Sequence, residues 1–346
     1  MIKTVIRSFP TVLNLNNINP HLVKSQYAVR GEVAVKIAEL DSKLRQGQRL
    51  PFSEVIQCNV GNPMWLGQRP LTWIRQGLSI MSYPELISEN LFPVDIKERC
   101  RYLLSRTKGG VGAYTESQGL LVVRESVSNY ISNRDSSDKV PPSDIFLSNG
   151  ASSSIQALMT TTISSPSDCI LTPIPQYPIY NAITTLQNGS SVGYFLDESD
   201  HKWSISKSEI QKSIQKAKSQ GLTPKVLVVI NPGNPTGQVL SSEVMKQIIQ
   251  ISEEENLVLM ADEVYQDNVY TQGKNFHSFR KIAIELGSNI EIASFHTISK
   301  GFFGECGLRG GYMHLMNFDK KVQEQIQKLF TIMLLLLPSK QSSNVK

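Results

Sequence analysis

The 346 residues, 40% hydrophobic and 19% charged, have the composition of an ordinary globular protein, which excludes a disordered or fibrous chain. The net charge of +5 is spread without a dense Lys/Arg block, which excludes a nucleic-acid footprint and favours attraction of small, phosphate-bearing anions. Four cysteines, Cys58, Cys100, Cys169 and Cys306, lie far apart with no CxxC pairing and no His at ligand spacing; neither a metal site nor a disulfide framework is expected, and a reducing compartment such as the cytoplasm fits.

At the start of the chain, Lys3, Arg7, Lys24 and Arg30 precede the first acidic residue, Glu32, a bias like that of a mitochondrial leader, so the mitochondrion is the alternative compartment. Val33, Ile37, Leu40 and Leu44 follow at helical spacing with Gly47 just beyond, which predicts a bracing helix behind an N-terminal arm. Ile96, Cys100, Leu103 and Leu104 predict a second helix, closed by Gly109 and Gly110. From there short apolar runs alternate with helical stretches. Strands are expected at 145–147, 169–171, 192–196, 226–230, 257–261 and 290–295. Helices are expected from about Ser153, from Ser206 with Glu209 as its capping-box partner, along Val244, Ile248 and Ile251, and along Val322, Ile326 and Leu329. Alternation of this kind implies an α/β fold with a mostly parallel sheet flanked by helices, whose chemistry gathers at the carboxyl ends of the strands. The longest apolar run, 329–337, is interrupted by Thr331 and too short to span a bilayer, so no membrane contact is expected.

Four stretches just past those runs carry reactive or polar groups. Lys300 follows the 290–295 run in Ser-Phe-His-Thr-Ile-Ser-Lys300-Gly and opens the glycine-rich stretch 301–311. A lone lysine is most often a solvated charge; at a strand exit, in a partly dry pocket with Arg309 nine residues on, it becomes a nucleophile for carbonyls. Asp262 and Tyr265 follow the 257–261 run, where a carboxylate can keep a ring nitrogen protonated and a phenol can reach the same ring. Asn231-Pro-Gly-Asn-Pro-Thr-Gly237 follows the 226–230 run, and its prolines would present the Asn234 amide on a fixed loop. Ser148-Asn-Gly-Ala-Ser-Ser-Ser154 opens a helix; its small residues are either simple caps or a phosphate cradle at the helix amino terminus. Tyr177, in Pro-Ile-Pro-Gln-Tyr-Pro, is either core or a ring that stacks on a planar ligand.

Together these elements resemble the fold-type I pyridoxal-phosphate aminotransferases, with matching separations of 28 residues from Asn234 to Asp262, 38 from Asp262 to Lys300 and nine from Lys300 to Arg309. Lys24-Ser-Gln-Tyr-Ala-Val-Arg-Gly-Glu32, Cys58-Asn-Val-Gly-Asn-Pro63, Gly112-Ala-Tyr-Thr-Glu-Ser-Gln-Gly119 and Phe303-Gly-Glu-Cys-Gly-Leu-Arg-Gly-Gly-Tyr312 look like the alanine aminotransferase branch. The resemblance implies that Lys300 carries pyridoxal 5'-phosphate as a Schiff base and shuttles the substrate proton, with Asp262 on the ring nitrogen and Asn234 and Tyr265 on the ring oxygen. It also implies that Tyr177 stacks on the ring and that Ala151, Ser152, Ser299 and Arg309 hold the phosphate. Tyr114 would reach the phosphate of a partner subunit in a homodimer, and Gly61, with Asn234, would lie on the substrate side.

The implied organisation is an arm and bracing helix over 1–55, a cofactor-binding large domain over 56–330 and a divergent tail over 331–346 in place of the family's small domain. The arginine that grips the substrate carboxylate in relatives belongs to that small domain and has no counterpart assigned here. The implied reaction is transfer of the amino group from L-alanine to 2-oxoglutarate, giving pyruvate and L-glutamate. Two alternatives stay open at this point: a chain that binds cofactor but works only as partner of a full-length subunit, and specificity for another amino acid.

Overall fold

The computed structural model describes residues 12–27, 31–56, 61–199 and 202–333. Cys58, the basic residues Lys3, Arg7 and Arg30 and the tail over 334–346 lie outside them. In chain order the helices and strands are α1 (Pro20–Lys24), α2 (Glu32–Arg45), α3 (Thr72–Ser82), α4 (Val94–Ser105), α5 (Leu121–Asp135), β1 (Ile145–Ser148), α6 (Ala151–Thr162), β2 (Asp168–Ile174) and α7 (Ile179–Leu186). They continue as β3 (Ser190–Phe195), α8 (Lys207–Ser219), β4 (Thr223–Ile230), α9 (Ser242–Glu254), β5 (Val258–Asp262), α10 (Phe279–Leu286), β6 (Ile292–Thr297), β7 (Gly311–Met316) and α11 (Lys320–Met333).

The seven strands form one sheet in the order β1-β7-β6-β5-β4-β2-β3. β7 runs antiparallel to both of its neighbours, and the remaining pairs are parallel. Side chains alternate across a strand, so each continuous apolar run feeds two cores. Leu227, Val229, Leu259 and Ala261 face α8, α9 and α10 through Ile214, Ile248 and Phe279. Val226, Val228, Ile230 and Met260 face α6, α7 and α11 through Leu158, Tyr180 and Phe330. A third cluster of α3, α4 and α5 residues, among them Ile80, Ile96 and Val127, covers Ile145, Leu147 and Tyr312 at the β1–β7 end.

All six expected strands are present, with β6 reaching Thr297. Ser206 accepts from the Glu209 amide as a cap, while the Glu209 carboxylate turns to Lys212 instead of closing the capping box. α2 forms where the spacing placed it, but none of its residues is buried. Sequence reading missed β7, because Tyr312 to Met316 follow a run of glycines and carry His314 in the middle of the apolar pattern. It also missed α5, in which the fully covered Val123, Val127 and Ile131 alternate with buried Arg124 and Ser128 that break the amphipathic signal. Among the described residues no helix is long and apolar enough to cross a membrane, and no cluster of His, Cys, Asp and Glu could hold a metal ion.

Candidate active site

The carboxyl ends of β2, β4, β5 and β6 open onto a cavity of about 650 Å³. Gly61, Ala151, Ser152, Tyr177, Asn234, Asp262, Tyr265, Ser299, Lys300 and Arg309 all line it. Tyr114 does not; its side chain is 87% exposed.

Asp262 is the last residue of β5 and falls on the α7 face of the sheet, in register with Met260. Its carboxylate is 4% exposed, accepts from the Tyr180 hydroxyl at 2.7 Å and more weakly from the Val264 amide at 3.4 Å. Burial pushes its pKa up to about 6, against the pull of those two donors. Tyr265 stands in the turn just beyond, where Asn234 Nδ2 donates to its hydroxyl at 3.2 Å. The phenol is pushed up to about 12, chiefly by burial and then by the charge of Asp262. Asn231, completely buried, ties the Asn234 loop down: its side-chain oxygen accepts from the Leu240 amide and its own amide donates to the Asp262 carbonyl.

Lys300 lies in the turn after β6 and its Nζ donates to the Gly61 carbonyl at 2.6 Å, across 239 residues of chain. Arg309 closes the other end of that turn with φ 52°, a left-handed conformation that costs a non-glycine residue roughly 1–2 kcal/mol. Three hydrogen bonds hold it there, to the Asn149 carbonyl at 2.8 Å, the Cys306 carbonyl at 3.0 Å and Ser299 Oγ at 3.2 Å. These bonds bring the guanidinium against the amino terminus of α6, whose cap, Gly150, has φ 96° and no side chain to close the first turn. A Cβ on Gly150 would come within 2.7 Å of Arg309 Nη2, so glycine is needed there both for its backbone and for room. The result is a cationic, donor-rich pocket between Arg309, Ser299 and the start of α6, a setting that favours an anion.

A family model described as aminotransferase class I and II matches residues 78–344. The chain belongs to this family. It is 44% identical to alanine aminotransferase 2 of Xenopus tropicalis over 331 residues, which are 93% of this chain and 63% of that protein. With alanine aminotransferase 1 of Rattus norvegicus it shares 43% over 93% of its own length and 66% of the relative's. The chain thus spans less than two thirds of the curated relatives it matches. Among solved structures, an aminotransferase from Escherichia coli superposes with a TM-score of 0.73 at 25% identity, covering 94% of this chain and 69% of that one.

Two residues that stand behind the cavity wall, each bonded to a residue that lines it, escaped sequence reading as individuals. Tyr180 sits in the first turn of α7, fully buried, and nothing in an isolated Tyr foretells a carboxylate partner. Tyr27, in the segment that follows α1, bonds its hydroxyl to that of Tyr177 at 2.5 Å and packs edge-on against its ring. The same segment is tied to α7 by Ser25, whose hydroxyl donates to the Ala182 carbonyl. The only signal for Tyr27 was its place in the Lys24 to Glu32 motif.

Proposed function

We propose that this chain is a pyridoxal-phosphate-dependent aminotransferase that moves the amino group of L-alanine to 2-oxoglutarate, releasing pyruvate and L-glutamate. The observation that carries the reading is the convergence of Lys300, Asp262, the Asn234–Tyr265 pair and the Arg309 pocket on one cavity. Names of relatives support alanine as the amino donor: the two described above are alanine aminotransferases.

The donor set fits the cofactor group by group. The hollow that Gly150 leaves beside Arg309, with Ser299 Oγ and the uncapped start of α6, suits a doubly charged phosphate. The Asn234 amide and the Tyr265 hydroxyl are placed as a pair for one anionic oxygen. The buried Asp262 carboxylate faces the same space and, as an anion, would hold a proton on a ring nitrogen. When bound, pyridoxal phosphate supplies an electron sink conjugated with the substrate amine.

The chain's own groups then do the remaining work. Lys300 Nζ, released from the Gly61 carbonyl, would take the α-proton of the amino acid, a general-base role worth about 10²–10⁴-fold. Asp262 keeps the ring nitrogen protonated through that transfer. Tyr177, its hydroxyl held by Tyr27, forms the wall against which a planar ring rests, and its phenol is kept neutral by burial first and the Tyr27 bond second. Gly61 and Asn234 border the space left for substrate. Tyr114, exposed on this chain, is assigned to the phosphate site of a second copy, which makes the working unit a homodimer.

The test is L-glutamate formation by the purified chain with pyridoxal phosphate and 2-oxoglutarate, L-alanine being compared with aspartate and with aromatic amino acids as the amino donor. Turnover favouring L-alanine is expected. Equal or better turnover of another amino acid would remove the substrate assignment and leave the cofactor assignment standing.

A further inference from the structure

We propose that Tyr180 is a positioning residue for Asp262: its hydroxyl fixes the orientation of the carboxylate that faces the cavity. The proposal rests on the reading that this cavity takes pyridoxal phosphate, and concerns how the chain prepares for it.

Tyr180 and Tyr194 are both fully buried phenols, and each must place its hydroxyl on an acceptor. Tyr194 donates to a backbone carbonyl, that of Val228, at 2.7 Å. Tyr180 instead donates to a carboxylate oxygen, Asp262 Oδ2, also at 2.7 Å. A bond to a charged acceptor is about twice as strong as a neutral one, and here it forms where water is excluded. The remaining protein donor, the Val264 amide, is at 3.4 Å from Oδ1, too long to orient the group by itself. A carboxylate offers about four lone-pair directions, so Tyr180 fixes its rotation and leaves acceptor capacity toward the cavity.

The other charged and titratable groups around Asp262 do not substitute for this bond. Tyr177 and Tyr265 line the cavity and are raised first by burial and to a lesser degree by the Asp262 charge, and the neighbouring Glu263, raised to about 7 chiefly by burial, turns away to the Phe279 amide and Arg134. Lys300 and Arg309, cations on the cavity wall, are directed elsewhere, Lys300 at the Gly61 carbonyl and Arg309 at the Asn149 and Cys306 carbonyls and Ser299 Oγ. Tyr180 is thus the side chain that favours the anion.

Tyr180→Phe keeps the buried ring and removes only the hydroxyl. In the cofactor-free protein, 13C NMR of the Asp262 carboxyl should show its titration midpoint moved up by about one pH unit, a tenfold change in proton affinity. With 15N-labelled pyridoxal phosphate, the ring-nitrogen resonance should lose its protonated shift at lower pH than in the wild type, and the dissociation constant should rise about tenfold. An unchanged Asp262 midpoint together with an unchanged ring-nitrogen titration would overturn the proposal, whatever happens to the melting temperature. Should Tyr180→Phe fail to fold, 3-fluorotyrosine placed at position 180 gives the opposite arm: the more acidic phenol should lower the Asp262 midpoint, and no movement would overturn the proposal. If the wild-type chain binds no pyridoxal phosphate, the cavity reading fails on its own, while the cofactor-free titration still decides the role of Tyr180.

Discussion

The floor of the cavity and its outer rim are built in different ways. Floor residues hang from the ends of core elements: Asp262 closes β5, Ala151 opens α6, Asn234 is held by the buried Asn231, and Arg309 is locked by three hydrogen bonds just before β7. Rim residues come from segments before β1: Gly61 meets Lys300 and Tyr27 meets Tyr177 over long sequence distances, with few bonds to fix them. A floor set by the sheet is prepared before any ligand arrives, whereas the rim is placed to adapt to what enters. Chemistry that needs fixed geometry should therefore fail when the floor is altered, and affinity should change modestly when the rim is.

The largest effect is expected at Lys300. Lys300→Ala should lower turnover by at least about 10³-fold and leave no cofactor attached to the chain after borohydride reduction, as read by mass spectrometry of the tryptic peptides. Asp262→Ala comes next: removing a preorganised charge from a dry site costs on the order of 10²–10³-fold in rate. Rates above a tenth of wild type would show that the floor does not act through Asp262. Arg309→Ala deletes charge-assisted hydrogen bonds worth about 1.5–3 kcal/mol each, so the dissociation constant for pyridoxal phosphate, measured by equilibrium dialysis, should rise at least roughly tenfold.

Acidity sharpens the same contrast without touching the rim. Because the folded Asp262 has its pKa raised to about 6 against an ordinary value of 3.8, the folded cofactor-free protein binds this proton more tightly than the unfolded chain. The resulting stabilisation is present below about pH 4 and is lost as pH rises toward 6. Asp262→Asn should flatten that part of the melting-temperature profile. A profile of the same slope in Asp262→Asn would mean that Asp262 is already ionised in the fold. The smallest effect belongs to the rim: Tyr27→Phe removes one neutral hydrogen bond of about 0.5–1.5 kcal/mol, which should raise KM two- to tenfold with kcat nearly unchanged. A large loss of kcat instead would place Tyr27 with the floor.

Legibility followed the same division. The central strands could be read because runs buried on both faces, such as Val226 to Ile230 in β4, leave no doubt about period or length. The residues at their exits, Asp262 and Lys300, inherited that clarity, since a strand end fixes where a side chain must point. β7 could not be read, since one of the two strands it pairs with, β1, lies far back in the sequence and its His314 interrupts the pattern. Tyr180 was hidden for a related reason: its importance lies in one bond to a residue 82 positions away, and its local sequence looks like that of any apolar helix. The contact between Lys300 and Gly61 needed the folded chain for the same cause.

The most direct measurement is an absorption spectrum of the purified 346-residue chain with pyridoxal phosphate, before and after L-alanine. The account predicts a long-wavelength band that depends on Lys300, and its conversion by L-alanine to the shorter-wavelength amine form with release of pyruvate. A chain that develops no such band, or whose band is the same in Lys300→Ala, would contradict it.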